Sequence, residues 1–275
     1  MLNVSKVGAW LLTDGGKKFC FYLAGTATTG VVLANFFTTN SFFKSVQRFV
    51  PLSKKLEERF QNALDLVDVN PKDKHLYKPF FYYGFDVMSA GSSYSKFGVI
   101  VGLPLNFSYE DVDKVDKSRI RVNQDTVVWE SEDGKKLLNS LILSENAQLY
   151  GMAKEIKFRQ TIKPFLDIVI SMGTCTMAYS FSSYINTTFN YYARPRNVRL
   201  IVYSLVVALS YGFYSMTKDM SQLYYEGKID KELKQMNKLF AEGGSEYYGK
   251  LLERNQAIRK LFRERGRVTI YRLRK

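Results

Sequence analysis

Leu200 to Thr217 reads LIVYSLVVALSYGFYSMT, a stretch without a charge and dense in Leu, Ile and Val. A bilayer core of about 30 Å takes about 20 mostly apolar residues as helix. The stretch therefore reads as a membrane span, with Tyr203, Tyr211 and Tyr214 suited to interfacial positions. Phe19 to Phe43 and Ile168 to Ala193 are also free of charge, in a chain where 24% of residues are charged. Together the three stretches predict three spans. The first two, Phe19 to Phe43 and Ile168 to Ala193, are diluted by Ser, Thr and Asn, and their competing reading is a buried amphipathic helix of a soluble domain. Exclusion of charge weighs more than average polarity on insertion scales, and hydroxyl side chains bond back to their own helix or across to a neighbour. Gly30 with Ala34, and Ala208 with Gly212, are small residues four apart that would let helices approach closely.

Charge is spread unevenly around these spans. The chain has 40 basic and 26 acidic residues and a net charge of +14. Residues 44 to 167 hold 19 basic and 17 acidic groups, the balance of an ordinary soluble domain; residues 218 to 275 hold 15 and 8. After Asn255, the residues Arg259, Lys260, Arg263, Arg265, Arg267, Arg272, Arg274 and Lys275 face only Glu264. Such a tail is drawn to anionic surfaces, either lipid headgroups or nucleic acid. Beside the protein's own bilayer headgroups are favoured, and Phe262 and Tyr271 are too few for a base-stacking platform.

Between the first two spans the pattern is that of a small α+β domain. Ser53 to Val67 places Leu56, Phe60, Ala63, Leu64 and Val67 on one helical stripe, with Ser53 as N-cap and Pro71 beyond the end. Pro79 to Met88, Phe97 to Leu103 and Ile120 to Trp129 read as strands, rich in aromatic and β-branched residues. Gly134 to Leu143 fits strand or helix, and Ser144 to Thr161 is a helix capped by Ser144. A later amphipathic helical region, Ile229 to Phe262, is predicted to break at Gly243 and Gly244. The expected architecture is an α+β membrane protein. Its parts are a tail at 1–18, a span at 19–43, the α+β domain at 44–167, a span at 168–193, a short basic loop at 194–199, a span at 200–217 and a helical region with the basic tail at 218–275. Three crossings put both soluble pieces on one face of the membrane. The loop ARPRNVR (193–199) leans towards the matrix or cytoplasmic side by the positive-inside rule, a lean opposed by Lys44, Arg48, Lys54 and Lys55. The first eighteen residues make a poor secretory signal and a poor transit peptide, so the first span is expected to act as an uncleaved internal signal.

Metal and redox chemistry have little to be built from. Cys20 and Cys175 fall in predicted spans without paired spacing, and the expected state is a buried free thiol. The single histidine, His75, sits in a polar loop, so zinc, copper and haem sites lack ligands. There is no GxSxG, P-loop or GxGxxG. Glu110, Asp111, Asp113 and Asp116 lie in a polar loop with Lys114 and Lys117, which reads as a solvated loop. The order of strands, a helix bearing MAKEIKF, a membrane hairpin and a later helix with GGSEYYGKLL resembles the layout of membrane gluzincin peptidases. In those a helix bears HExxH and a later helix supplies a glutamate ligand. Here Glu155 stands at the general-base position, while Lys154 and Phe158 replace both histidines. A scaffold of that kind would hold no zinc and activate no water.

A closer resemblance rests on Tyr77-Lys78-Pro79-Phe80, Ser89-Ala90-Gly91, Gly98 to Pro104 (GVIVGLP), Trp129, Leu143-Ser144, Ala147-Gln148, Ala153-Lys154-Glu155, and Gly243 to Tyr248 (GGSEYY) with Lys250-Leu251-Leu252. In order and spacing these resemble the transmembrane protein 177 family, over the middle domain, both later spans and the helix after them. The resemblance implies a multi-pass protein of the mitochondrial inner membrane, with soluble parts leaning to the intermembrane space. It also implies an assembly factor for cytochrome c oxidase subunit II, acting with that subunit's membrane chaperone and copper-delivery factors, and neither an enzyme nor a binder of cofactor or small-molecule substrate. The chain stops soon after Tyr271, short of the family's longer members. Tyr77, Phe80, Phe81, Tyr82 and Tyr83 are the aromatic candidates for partner contact, since interface hot spots are enriched in such residues; core-facing strand positions are the alternative. Arg259, Lys260, Arg263, Arg265 and Arg267 are the candidates for anionic-surface contact. The competing functions are a catalytically dead or active gluzincin-like scaffold, and a membrane tether binding anionic lipid or RNA through the tail.

Overall fold

The computed structural model describes residues 52–273 apart from 96, 116, 118, 119, 123 and 124, together with 13, 15, 16, 18, 19, 22, 25, 26 and 30. Most of the predicted span at 19–43, most of the tail before it and Cys20 lie outside the described residues. The chain divides into two compact units, 42–161 with 226–275, and 1–41 with 162–225.

The first unit begins with α1 (Lys54–Leu66), where the Ser53 hydroxyl accepts from Leu56 N and the stripe Leu56, Phe60, Ala63, Leu64 is buried. This matches the sequence pattern, because apolar residues three and four apart share one helical face. Three strands follow, β1 (Tyr77–Tyr82), β2 (Met88–Gly91) and β3 (Val99–Pro104). They form a sheet in the order β1-β3-β2, with β1 parallel and β2 antiparallel to β3. Central β3, VIVGLP, is buried along its whole length, as expected of a near-continuous apolar run covered on both faces. The predicted strand from Pro79 to Met88 is corrected to two strands, since bends over 83–86 end β1 and let the chain return as β2. The run from Ile120 to Trp129 yields only the two-residue strands β4 (Arg121–Val122) and β5 (Asp125–Thr126).

Gly134 to Leu143 resolves as helix, α2 (Glu132–Ser140), with Ser131 Oγ accepting from Gly134 N at 3.0 Å and acidic Glu132 and Asp133 in the first turn. The next helix, α3 (Glu145–Arg159), is capped by Ser144 as predicted, its hydroxyl accepting from Ala147 N at 3.2 Å.

In the second unit, α4 (Lys163–Thr188) leads through a left-handed Asn190 and a 3-10 turn at Tyr191–Ala193 into α5 (Arg196–Met236). These are the two described helices long and apolar enough to cross a membrane. The basic loop is shorter than the predicted 194–199, because Asn197 to Arg199 already lie in the first turn of α5. Val169, Met177, Phe181, Leu205, Val207 and Leu209 are exposed, a surface suited to lipid rather than water. Cys175 is free but exposed, which corrects the expected burial of its thiol. The hydroxyls that dilute these helices bond back one turn, among them Ser171 to the Asp167 carbonyl at 2.7 Å, Thr174 to Ile170 at 2.8 Å and Thr217 to Phe213 at 2.8 Å. Gly212 has no neighbour within 4 Å of an added Cβ, so it mediates no close helix approach among the described residues.

A polar contact joins the two helices: buried Asn186 donates from Nδ2 to the Tyr203 hydroxyl at 2.7 Å. Interhelical hydrogen bonds of this kind in membranes average about 0.6 kcal/mol. Tyr203→Phe is therefore expected to lower the hairpin's unfolding free energy in detergent by a similar amount. A loss above about 2 kcal/mol would mean that the hydroxyl does more than this one bond.

The last segments of the first unit are the end of α5, with Ile229 and Leu233 buried, and α6 (Lys238–Leu273). The predicted break at Gly243 and Gly244 is corrected. Helix is interrupted at Asn237, whose Oδ1 accepts from Leu239 N at 3.0 Å, while both glycines sit inside α6. The basic tail likewise begins inside a packed helix, since Ala257 and Leu261 are buried with Val127 and Leu137.

Candidate functional site at the seam of α3 and α6

Glycines bring α6 against α3. A Cβ on Gly243 would lie 2.6 Å from the Asn146 carbonyl carbon, one on Gly244 2.8 Å from the Tyr150 ring, and one on Gly151 2.9 Å from the Tyr247 ring. At this spacing α6 makes polar contacts with α3 and with the elements beside it. At the start of α3, Ser144 N donates to Glu246 Oε1 at 2.9 Å and the Ser144 hydroxyl bonds the same carboxylate, so α6 supplies a second acceptor for the α3 N-terminus. Lys250 Nζ reaches the Asn139 carbonyl at 3.0 Å. Further along, buried Arg254 donates to the Phe85 carbonyl at 3.0 Å and to Asp86 Oδ1 at 2.7 Å, fixing the bend between β1 and β2.

The centre of the seam is a tyrosine–carboxylate network. Tyr150 donates to Asp230 Oδ1 at 2.7 Å and Tyr248 to Oδ2 at 2.8 Å, so both oxygens of one carboxylate are engaged. Lys154 Nζ donates to the Tyr248 hydroxyl at 2.6 Å and lies 3.7 Å from Glu226 Oε2. The rings of Tyr150, Tyr247 and Tyr248 pack within 6 Å of one another, edge-on or tilted. Burial raises the pKa of all three phenols, and the Asp230 carboxylate adds to this for Tyr150 and Tyr248. They therefore stay neutral donors throughout the physiological range. Burial works against the Lys154 ammonium, but Tyr248, Glu226 and Asp230 outweigh it and raise its pKa.

Glu155 is held on the sheet side of α3. It accepts from the Ser89 hydroxyl of β2, while Arg159 Nε donates to that same hydroxyl at 2.6 Å and other Arg159 nitrogens reach the Ser89 and Gly91 carbonyls. Burial pushes the Glu155 carboxyl up from its ordinary value, against the opposing effects of Ser89, Arg159 and Lys154. A raised folded pKa means that the folded state favours the proton. That contribution to stability is full below the unfolded pKa of about 4.5 and is lost as pH rises through the folded value. Glu155→Gln should remove this dependence, so the difference in denaturant midpoint between variant and parent should grow in the variant's favour from pH 4.5 upward. A difference constant across that window would show that Glu155 does not titrate this way.

These positions fix what the arrangement can do. At the places of the two zinc-binding histidines of an HExxH helix, Lys154 is bonded to Tyr248 and Phe158 is buried. Glu246 caps the start of α3, eleven residues from Glu155, or roughly 16 Å at 1.5 Å per residue. The two carboxylates thus serve opposite ends of one helix, and among the described residues no cluster of three or more His, Cys, Asp or Glu side chains is placed to hold a metal. The network works as a clasp, joining the end of α5 to α3 and α6.

Of the aromatic partner candidates, Tyr77 and Phe80 are core residues, the core-facing alternative at those two positions. Phe80 packs with Ile100, and burial raises the pKa of the Tyr77 phenol. Phe81 and Tyr82 are half-buried. Tyr83 is 64% exposed and packs edge-on against Phe81. The basic candidates Arg259 and Lys260 are exposed on α6, with Lys260 3.5 Å from Asp133. Arg263, Arg265 and Arg267 continue the same helix, their side chains outside the described part. His75 is exposed, and so are Glu110, Asp111 and Asp113, as a solvated loop would be. Asp230, Tyr150, Glu226, Arg159 and Arg254 were not singled out in the sequence, where each sits in an ordinary charged or amphipathic helix. The signal available for them was indirect, the glycine pair that demands a close helix partner.

Comparison with known proteins follows the same residues. The family described as Transmembrane protein 177 matches residues 31–271. Transmembrane protein 177 of Mus musculus is 29% identical over 216 residues, covering 78% of this chain and 68% of the relative. The Homo sapiens protein of the same name is 29% identical over 218 residues, with the same coverage, and that of Danio rerio 27% over 217 residues, covering 78% and 69%. No solved structure matches the chain.

Proposed function

The chain belongs to the transmembrane protein 177 family, and from that premise we propose that it is a non-enzymatic assembly factor of the mitochondrial inner membrane that assists biogenesis of cytochrome c oxidase subunit II. The observation that carries the proposal is a hairpin of two apolar, surface-exposed helices joined to a separately cored unit whose ionisable groups are bonded to one another. Such a build suits holding rather than turnover. The helices offer a lateral surface to a newly inserted subunit, and the globular unit offers a fixed one to its soluble part, alongside that subunit's membrane chaperone and copper-delivery factors. Removal of this protein from cells should shorten the lifetime of pulse-labelled subunit II, and re-expression should restore it. An unchanged lifetime overturns the proposal.

Packing and parity support one shared side for both parts of the globular unit. Since α6 packs on α3, the chain between them crosses the bilayer an even number of times, and α4 and α5 supply two crossings. Protease added to mitochondria with ruptured outer membranes should digest segments 44–161 and 226–275 together, on the intermembrane-space side. Digestion of one with protection of the other would break the hairpin topology.

A further inference from the structure

The turn between β2 and β3 is built as a rigid projection. Gly91 and Gly98 at its base both have positive φ, 93° and 75°, a region open to glycine but strained for other residues. A Cβ on Gly98 would meet the Leu76 carbonyl oxygen at 2.5 Å. Inside the loop, Ser95 N bonds the Ser92 carbonyl at 3.0 Å and Gly98 N the Ser95 carbonyl at 2.9 Å. The base residues Ser92 and Gly98 are buried, yet the tip presents Tyr94 at 69% and Phe97 at 48% exposure. In sequence the tip is Tyr94-Ser95-Lys96-Phe97, two aromatics flanking a lysine.

The loop is tied to the end of α3. Ser93 donates to the Arg159 carbonyl from both its backbone N and its hydroxyl, each at 3.2 Å. Arg159 is four residues ahead of Lys163, where α4 begins. A chain spans at most about 3.6 Å per residue, so Arg159 stays within roughly 15 Å of that point, and Ser93 bonded to it within roughly 20 Å, whatever path the connection takes. The connection itself carries Ile162, 61% exposed, and α4 opens with a further exposed aromatic, Phe165. Exposed aromatics near the point where a helix enters a bilayer have the composition of the interfacial belt, where aromatic rings sit at headgroup level.

We infer that the Ser92–Gly98 loop is a membrane-interface anchor, seating Tyr94 and Phe97 among the lipid headgroups beside the start of α4. The inference rests on α4 spanning the bilayer. The anchor gives the globular unit a second attachment besides its chain connections and so restricts how it tilts over the membrane surface.

Tryptophan reporters test it in the full chain reconstituted into phosphatidylcholine vesicles, each read as quenching beyond that of the parent's own Trp10 and Trp129. Tyr94→Trp and Phe97→Trp are expected to add fluorescence quenched several-fold more by nitroxide lipids labelled at the headgroup than by lipids labelled deep in the acyl chains. Phe181→Trp, on the exposed face of α4, should show the reverse preference. Quenching of the Phe181→Trp protein with none in both loop variants overturns the anchor and leaves the span intact. No lipid quenching in any of the three overturns the span, and the anchor with it. Since both loop residues are exposed, a folding failure of one variant leaves the other to decide.

Discussion

Gly243→Ala is expected to loosen the whole α3–α6 seam, though it adds a single methyl group. The new Cβ would stand 2.6 Å from the Asn146 carbonyl carbon and 3.1 Å from Ala147 N, which are backbone atoms in the first turn of α3 and have no rotamer by which to give way. Overpacking of this kind costs about 1–3 kcal/mol, occasionally more. Alanine's helix propensity returns only about 1 kcal/mol. The displacement also pulls Glu246 from Ser144 and Tyr248 from Asp230, so the net loss should lie at the upper end of that range. Gly212→Ala is the control: nothing lies within 4 Å of its added methyl, and it should be neutral or slightly stabilising. Denaturant midpoints of the two variants in detergent check the contrast. Equal midpoints would mean that the seam yields freely and that the glycines are not there for close approach.

The same two glycines mark the limit of what the sequence conveys. Read along the chain, Gly243-Gly244 is a helix breaker, and propensity alone supports that reading. Their role comes from a partner helix about ninety residues away, which a local pattern cannot show. The features that were legible are those set by short-range physics: the Ser53 and Ser144 caps, the stripe on α1, the buried apolar run of β3 and the charge-free windows of α4 and α5. Those that were not legible depend on tertiary contact. Tyr77 and Phe80 look like candidate contact aromatics until β3 is seen to pair with their strand and cover them. Asp230 looks like one more acid in a charged helix until two tyrosines converge on it. The quoted segments Lys154-Glu155 and Gly243 to Tyr248 are far apart in sequence yet share α3 and its seam with α6, with Ser89 bonded to Glu155 on the sheet side.

Asp230→Ala is expected to have the second largest effect, because one carboxylate accepts from two tyrosines and adds to the negative field on Lys154. Its removal leaves the Tyr150 hydroxyl without its acceptor in the seam, takes the acceptor from Tyr248 and strips the Lys154 ammonium of part of the negative field that raises its pKa. A buried donor left unsatisfied costs about 1–3 kcal/mol. A loss of about 2 kcal/mol is therefore expected, localised to the end of α5 where Ile229 and Leu233 are buried. Removing the orphaned donor as well separates the network from simple packing. In an Asp230→Ala, Tyr150→Phe double variant the second change should recover part of the loss, with a coupling of about 0.5–3 kcal/mol. Hydrogen exchange over residues 226–236 should rise in Asp230→Ala and fall back in the double variant. If the two substitutions are simply additive, the carboxylate is not the centre of the clasp, and the attachment of α5 rests on Ile229 and Leu233 alone.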